Sequence, residues 1–133
     1  MANAFNGGTA LGKVRGRGAA GHGTGAFMTQ RLTAVSNAIL MTWFLVSLAT
    51  LPNLSWGVVS VWLSSPLVAT AMILLILSTF LHFRLGVMEL IEDYVHNEAW
   101  KILAVVALNF YAVAGIAIGI VSVARIALTG TAS

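Results

Sequence analysis

Residues 66–96 read PLVATAMILLILSTFLHFRLGVMELIEDYVH. No charged side chain stands between Pro66 and Phe83. A stretch of roughly 20 apolar residues is enough to cross a bilayer core. Pro66 suits the first turn of a helix, where its missing N–H costs nothing, and Ser64 or Ser65 can cap it. The run continues helical to about Tyr94, some 29 residues or roughly 43 Å at 1.5 Å per residue. It outruns the ~30 Å hydrocarbon core, so its last turns must reach the headgroups. A membrane-spanning helix that carries a histidine, His82, is thus the element from which the fold is read.

Composition agrees over the rest of the chain. The 133 residues are 59% hydrophobic and 8% charged, with mean hydropathy +0.92; an average soluble domain is about 25% charged. Two further spans fit, about 32–51 and 102–123. The first is entered through Arg31 and closed by Pro52, and the third is followed by Arg125. The fold class is an all-α membrane protein with three transmembrane helices. Lys13, Arg15, Arg17 and Arg31 precede or open the first span, whereas residues 52–65 carry no charge. Positive charge accumulates on the cytoplasmic side, so the N-terminus is expected there and the C-terminus on the opposite side. The basic pI of about 10.0 therefore signals orientation in a bilayer and not nucleic acid as a partner. The chain contains no cysteine, which removes disulfides, thiol catalysis and iron–sulfur ligation by its own residues.

Residues 1–27 read as a flexible, basic, glycine-rich cytoplasmic tail, ahead of a three-span anchor over 28–133. The tail lacks the apolar core of a signal peptide, and its glycines and missing amphipathic period argue against an organellar transit peptide. Ser36 and Asn37 in the first span are placed to bond a neighbouring helix or the edge of a cofactor. Trp56 and Trp62 suit an interfacial aromatic belt. Residues 92–101 form a polar loop, and Gly115 and Gly119 make a small-xxx-small pair that admits a close helix.

At about 100° per residue, His82, Glu89 and Asp93 share one stripe of the second span, and Gly86 lies about 40° beside it. The stripe climbs about 16 Å, from a histidine inside the bilayer to a carboxylate at its edge. An intramembrane histidine is costly and marks a functional position. It can be a packing histidine bonded to a serine or a carbonyl across the bundle. It can also be a neutral ligand to haem iron; the adjacent glycine, which leaves room for a flat macrocycle, and the carboxylate in line favour that reading. Arg31 can meet a propionate by bidentate bonding or serve as a positive-inside anchor. Arg84, about 200° from His82, points elsewhere. His96 reads as a solvated loop residue and His22 as no ligand. Tyr94 is an interfacial aromatic whose hydroxyl can donate to a carbonyl oxygen.

His82-x-x-x-Gly86 followed by Asp93-Tyr94-Val95 resembles the D-type hydrophobic membrane-anchor subunit of succinate dehydrogenase, respiratory complex II. The close likeness covers residues 82–96, and the remainder is similar in architecture. The resemblance implies that His82 is one axial ligand of a b-type haem, the other coming from a companion C-type anchor subunit. It implies that Tyr94 hydrogen-bonds ubiquinone, with Asp93 beside it in the pocket. The partners implied are that anchor, an iron–sulfur subunit, a flavoprotein subunit and the lipid bilayer. Such a chain has no catalytic residue of its own; it is a subunit of an enzyme complex of the respiratory chain and tricarboxylic acid cycle. The expected location is a bacterial inner membrane, ahead of the mitochondrial inner membrane. The alternatives are the anchor of a fumarate reductase and a non-redox membrane scaffold with His82 as a packing residue.

Overall fold

A computed structural model describes residues 23–130. The glycine-rich stretch 1–22, with His22, lies outside them. Four helices follow in order: α1 Gly23–Thr50, α2 Trp56–Leu63, α3 Pro66–Tyr94 and α4 Glu98–Thr129. The described chain contains no strand. Three of the helices, Thr24–Thr50, Pro66–Tyr94 and Glu98–Thr129, are long and apolar enough to cross a membrane, with mean hydropathies of 1.7, 2.0 and 2.2. In hydrocarbon no water pairs with a free N–H or C=O, so a helix, which satisfies its own backbone, is what such sequences must form.

Local chemistry sets the ends. α3 begins with Pro66 in its first turn. Ser65 occupies the cap position but makes no side-chain cap bond, and the Ser64 hydroxyl instead donates to the Val61 carbonyl. At the other end Val95 is extended. Asn97 then caps α4, its side-chain oxygen accepting from the N–H groups of Ala99 at 3.0 Å and Trp100 at 3.4 Å. Glu98 in the first turn suits the helix dipole.

The helices are longer than the spans read from hydropathy. α1 starts at Gly23, well ahead of Leu32, because Ala26, Phe27 and Met28 continue the helical run. α4 passes through Arg125 to Thr129, since one exposed cation does not end a helix. The polar loop expected over 92–101 shrinks to residues 95–97, because Glu92 and Asp93 finish α3 and Glu98 opens α4. The charge-free stretch 52–65 is not all loop. Asn53 accepts a bond from the Ser55 N–H at 3.0 Å, and the eight-residue α2 follows.

α3 packs against both α1 and α4, whose backbones stay apart from each other. The three long helices therefore lie in a row with α3 in the middle. α2 seals one end: Leu63, Ala69 and Val123 are buried together, with Trp62, Met72 and Ile126 around them. The Trp62 ring stacks on Trp43 at 6.1 Å. The connection 95–97 lies at the other end, where α1 starts. Few side chains are buried, and Phe110, Val113, Ile118 and Leu128 are among the large apolar residues left exposed.

The α3–α4 seam depends on two glycines. A Cβ at Gly115 would stand 2.2 Å from the Phe80 ring, and one at Gly119 2.9 Å from Ile76. The helix that this small-xxx-small pair admits is the chain's own α3. Gly115→Leu is expected to destabilise the protein by about 1–3 kcal/mol through overpacking, read as a lower thermal midpoint in detergent. Gly57→Ala, where a Cβ meets nothing within 4 Å, should stay within about 0.5 kcal/mol of wild type.

Candidate functional site

The α1–α3 seam is polar along its length. From the α2 end toward the 95–97 turn, the Thr79 hydroxyl donates to Asn37 Oδ1 at 3.4 Å. The Ser78 hydroxyl donates to the Thr33 carbonyl at 3.1 Å. Thr33 Oγ1 lies 3.1 Å from His82 Nδ1, and Gln30 Nε2 donates to Glu89 Oε2 at 3.2 Å. The α3 members recur at helical spacing, which turns Ser78, His82 and Glu89 toward the same neighbour. Thr33 and Ser78 are buried, His82 is half-buried and Glu89 exposed.

Thr33 and His82 can meet in two ways, with Nδ1–H donating to the hydroxyl oxygen or the hydroxyl donating to Nδ1. The Thr33 hydroxyl has one proton and lies 2.9 Å from the Thr29 carbonyl and 3.0 Å from the Gln30 carbonyl. Carbonyls only accept, so the first arrangement keeps that proton on its own helix. Toward His82 the hydroxyl oxygen is then the acceptor and Nδ1–H the donor. In a neutral imidazole Nε2 consequently keeps its lone pair. Nε2 has no hydrogen-bond partner among the described residues.

His82 lines a cavity of about 410 Å³ with Phe27, Gln30, Arg31, Ala34 and Val35. Arg31 places its guanidinium 4.7 Å from the centre of the Phe27 ring, a cation–π contact. The cavity is therefore lined by three apolar side chains together with an amide, an imidazole and a cation. A side chain built at Gly86 would meet nothing within 4 Å, so space beside the His82 stripe is open. Among the described residues no three His, Asp or Glu side chains converge on a point that could hold a metal ion. His82 can offer a single coordination bond. That suits iron held mainly by a macrocycle and does not suit a bare ion, which needs several protein ligands.

The other residues read from sequence lie apart from this cavity. Tyr94 is 76% exposed at the end of α3, and its hydroxyl has no protein partner among the described residues. Asp93 is exposed beside it. The Tyr94 carbonyl accepts from His96 Nδ1 at 3.1 Å, so His96 belongs to the turn and not to the His82 cavity. Arg84 points to the opposite seam, where its Nε donates to Asn109 Oδ1. Asn109 is held by its own bond to the Val105 carbonyl at 2.9 Å. Thr33, Gln30 and Asn109 were not singled out by the sequence. Thr33 and Gln30 share a helix face with Asn37, and that spacing was the available signal.

The family model described as the succinate dehydrogenase/fumarate reductase transmembrane subunit matches residues 6–116. No curated protein matches the chain.

Removing one member of a half-buried polar pair between membrane helices leaves the other unsatisfied, whereas removing both costs less. Asn109→Leu is expected to destabilise by about 1–3 kcal/mol, measured by thermal denaturation in detergent. Adding Arg84→Leu to it should recover part of that loss.

Proposed function

This chain belongs to the succinate dehydrogenase/fumarate reductase transmembrane subunit family, and we propose that it is the D-type membrane anchor of a succinate dehydrogenase that reduces ubiquinone. The observation that carries the cofactor assignment is the His82 ring. Its Nδ1 lies within hydrogen-bond distance of a buried threonine, and the ring lines a cavity shared with an arginine. A b-type haem bound there would supply one-electron chemistry between the soluble subunits and the quinone.

The chain's own contributions are binding and orientation. His82 Nε2 would hold the haem iron together with a histidine of the companion C-type anchor. Arg31 stands at the cavity with a cation suited to a propionate. The row of helices leaves the cavity open-sided, so a companion anchor is needed to wall it. Iron–sulfur and flavoprotein subunits complete the complex and deliver the electrons of succinate.

Quinone reduction consumes two electrons and two protons. The free Tyr94 hydroxyl is placed to donate a hydrogen bond to a quinone carbonyl oxygen, with Asp93 lining the pocket beside it. Glu89, Glu92 and Asp93 all stand at this end of α3 and can pass protons from water. Arg31 near the start of α1 and Lys101 near the start of α4 stand at the same end, which the positive-inside rule assigns to the cytoplasm. The C-terminus then lies on the far side of a bacterial inner membrane.

The purified complex is expected to show a b-type band in its reduced-minus-oxidised spectrum, and His82→Ala to abolish it. An unaltered band in that variant rejects the ligand role. Tyr94→Phe should lower quinone reduction by about tenfold or more, the scale of losing a 1.4 kcal/mol interaction. Succinate oxidation by an artificial acceptor should survive; equal loss of both activities would point to assembly instead.

A further inference from the structure

Thr33 is 7% exposed and is gripped at two points by one turn of α3. The Ser78 hydroxyl donates to its carbonyl at 3.1 Å, and four residues on, His82 Nδ1 lies 3.1 Å from its hydroxyl oxygen. That hydroxyl is also within reach of the Thr29 and Gln30 carbonyls. With its proton on those carbonyls, its oxygen faces the ring as an acceptor.

We propose that Thr33 is the positioning residue of the axial imidazole, fixing the tautomer and the plane of the His82 ring so that Nε2 alone can bind iron. The inference rests on the haem reading of His82 given above. A ligating histidine is ordinarily oriented by a hydrogen bond from its second nitrogen, and loss of such a partner typically costs 10–100-fold in metal affinity or activity. No neighbour on the seam can substitute for the hydroxyl. Gln30 is engaged with Glu89 and Asn37 with Thr79, and Ser78 is spent on the Thr33 backbone. The acceptor is also neutral. A carboxylate in this position would draw the Nδ1 proton strongly and enrich the iron in electron density. A hydroxyl does so weakly, so it orients the ring without greatly lowering the potential of the iron.

Thr33→Val preserves the shape of the side chain and deletes the acceptor. Thr33→Ser keeps the acceptor and deletes a methyl group. The intact complex is purified from membranes containing the wild-type chain, each of these variants or His82→Ala. Three quantities are read: haem retained per flavin, the haem midpoint potential, and the g values of the ferric haem in electron paramagnetic resonance, which report the orientation of the axial rings. The valine variant should hold haem at least tenfold more weakly, with a more positive potential and shifted g values. The serine variant should restore all three.

Wild-type potential and g values in Thr33→Val, with haem absent from His82→Ala, would overturn this inference while leaving the ligand assignment intact. Failure of the serine variant to restore the signals would also overturn it. So would loss of assembly in Thr33→Val when His82→Ala still assembles, since Thr33 would then be a packing residue. Unchanged haem in His82→Ala would remove the reading beneath it.

Discussion

A bilayer gives a buried side chain no water to bond with, and this constraint arranges the polar contacts between the long helices. Polar groups inside the hydrocarbon must find one another or a backbone carbonyl. They do so by collecting on one seam: Asn37 with Thr79, Thr33 with Ser78 and His82, Gln30 with Glu89. The opposite side of α3 is held differently. Gly115 and Gly119 let Phe80 and Ile76 press against the α4 backbone, so contact there is van der Waals packing, with Arg84 and Asn109 as its polar exception. α3 is thus a two-sided element, with a polar face toward α1 and a close-packed face toward α4.

The division has a functional consequence. The glycine seam supplies rigidity, and the polar seam can keep a histidine in place without consuming both of its nitrogens. Thr33 lies against Nδ1, and the ring lines a cavity with residues of α1. A cavity lined by α1 and α3 alone is not closed by this chain. The exposed apolar surfaces of α1 and α4 carry the same message, since a row of three helices offers more surface than it covers. Membership in a family of multisubunit membrane complexes accounts for both features.

Much of this was legible in the sequence, because bilayer thickness imposes a length that composition reveals directly. Pro66 marked the start of α3 to the residue, and Pro52 the end of α1 to within two. What hydropathy missed was helix outside the hydrocarbon. The opening turns of α1, the short α2 and the last turn of α4 lie beyond the apolar windows, and the start of α4 is set by its Asn97 cap, which an apolar window cannot register. The site was half legible. His82 stood out as a polar group in an apolar run, and Gly86 as space beside it. The packing alternative for His82 expected a bond across the bundle, and that bond exists, but it occupies only Nδ1. Its partner was hidden because a threonine 49 residues away is ordinary in a transmembrane helix until a neighbour is brought against it. Tyr94 and Asp93 were read from local pattern. They lie at the exposed end of α3.

The central claim is that His82 meets iron through Nε2 because Nδ1 is committed to Thr33. An experimental structure of the complex isolated from native membranes tests this most directly. The account requires a tetrapyrrole iron at coordinating distance from His82 Nε2, with the Thr33 hydroxyl still against Nδ1. A His82 ring turned to acyl chains with no tetrapyrrole in reach, or iron bound through Nδ1, would contradict it.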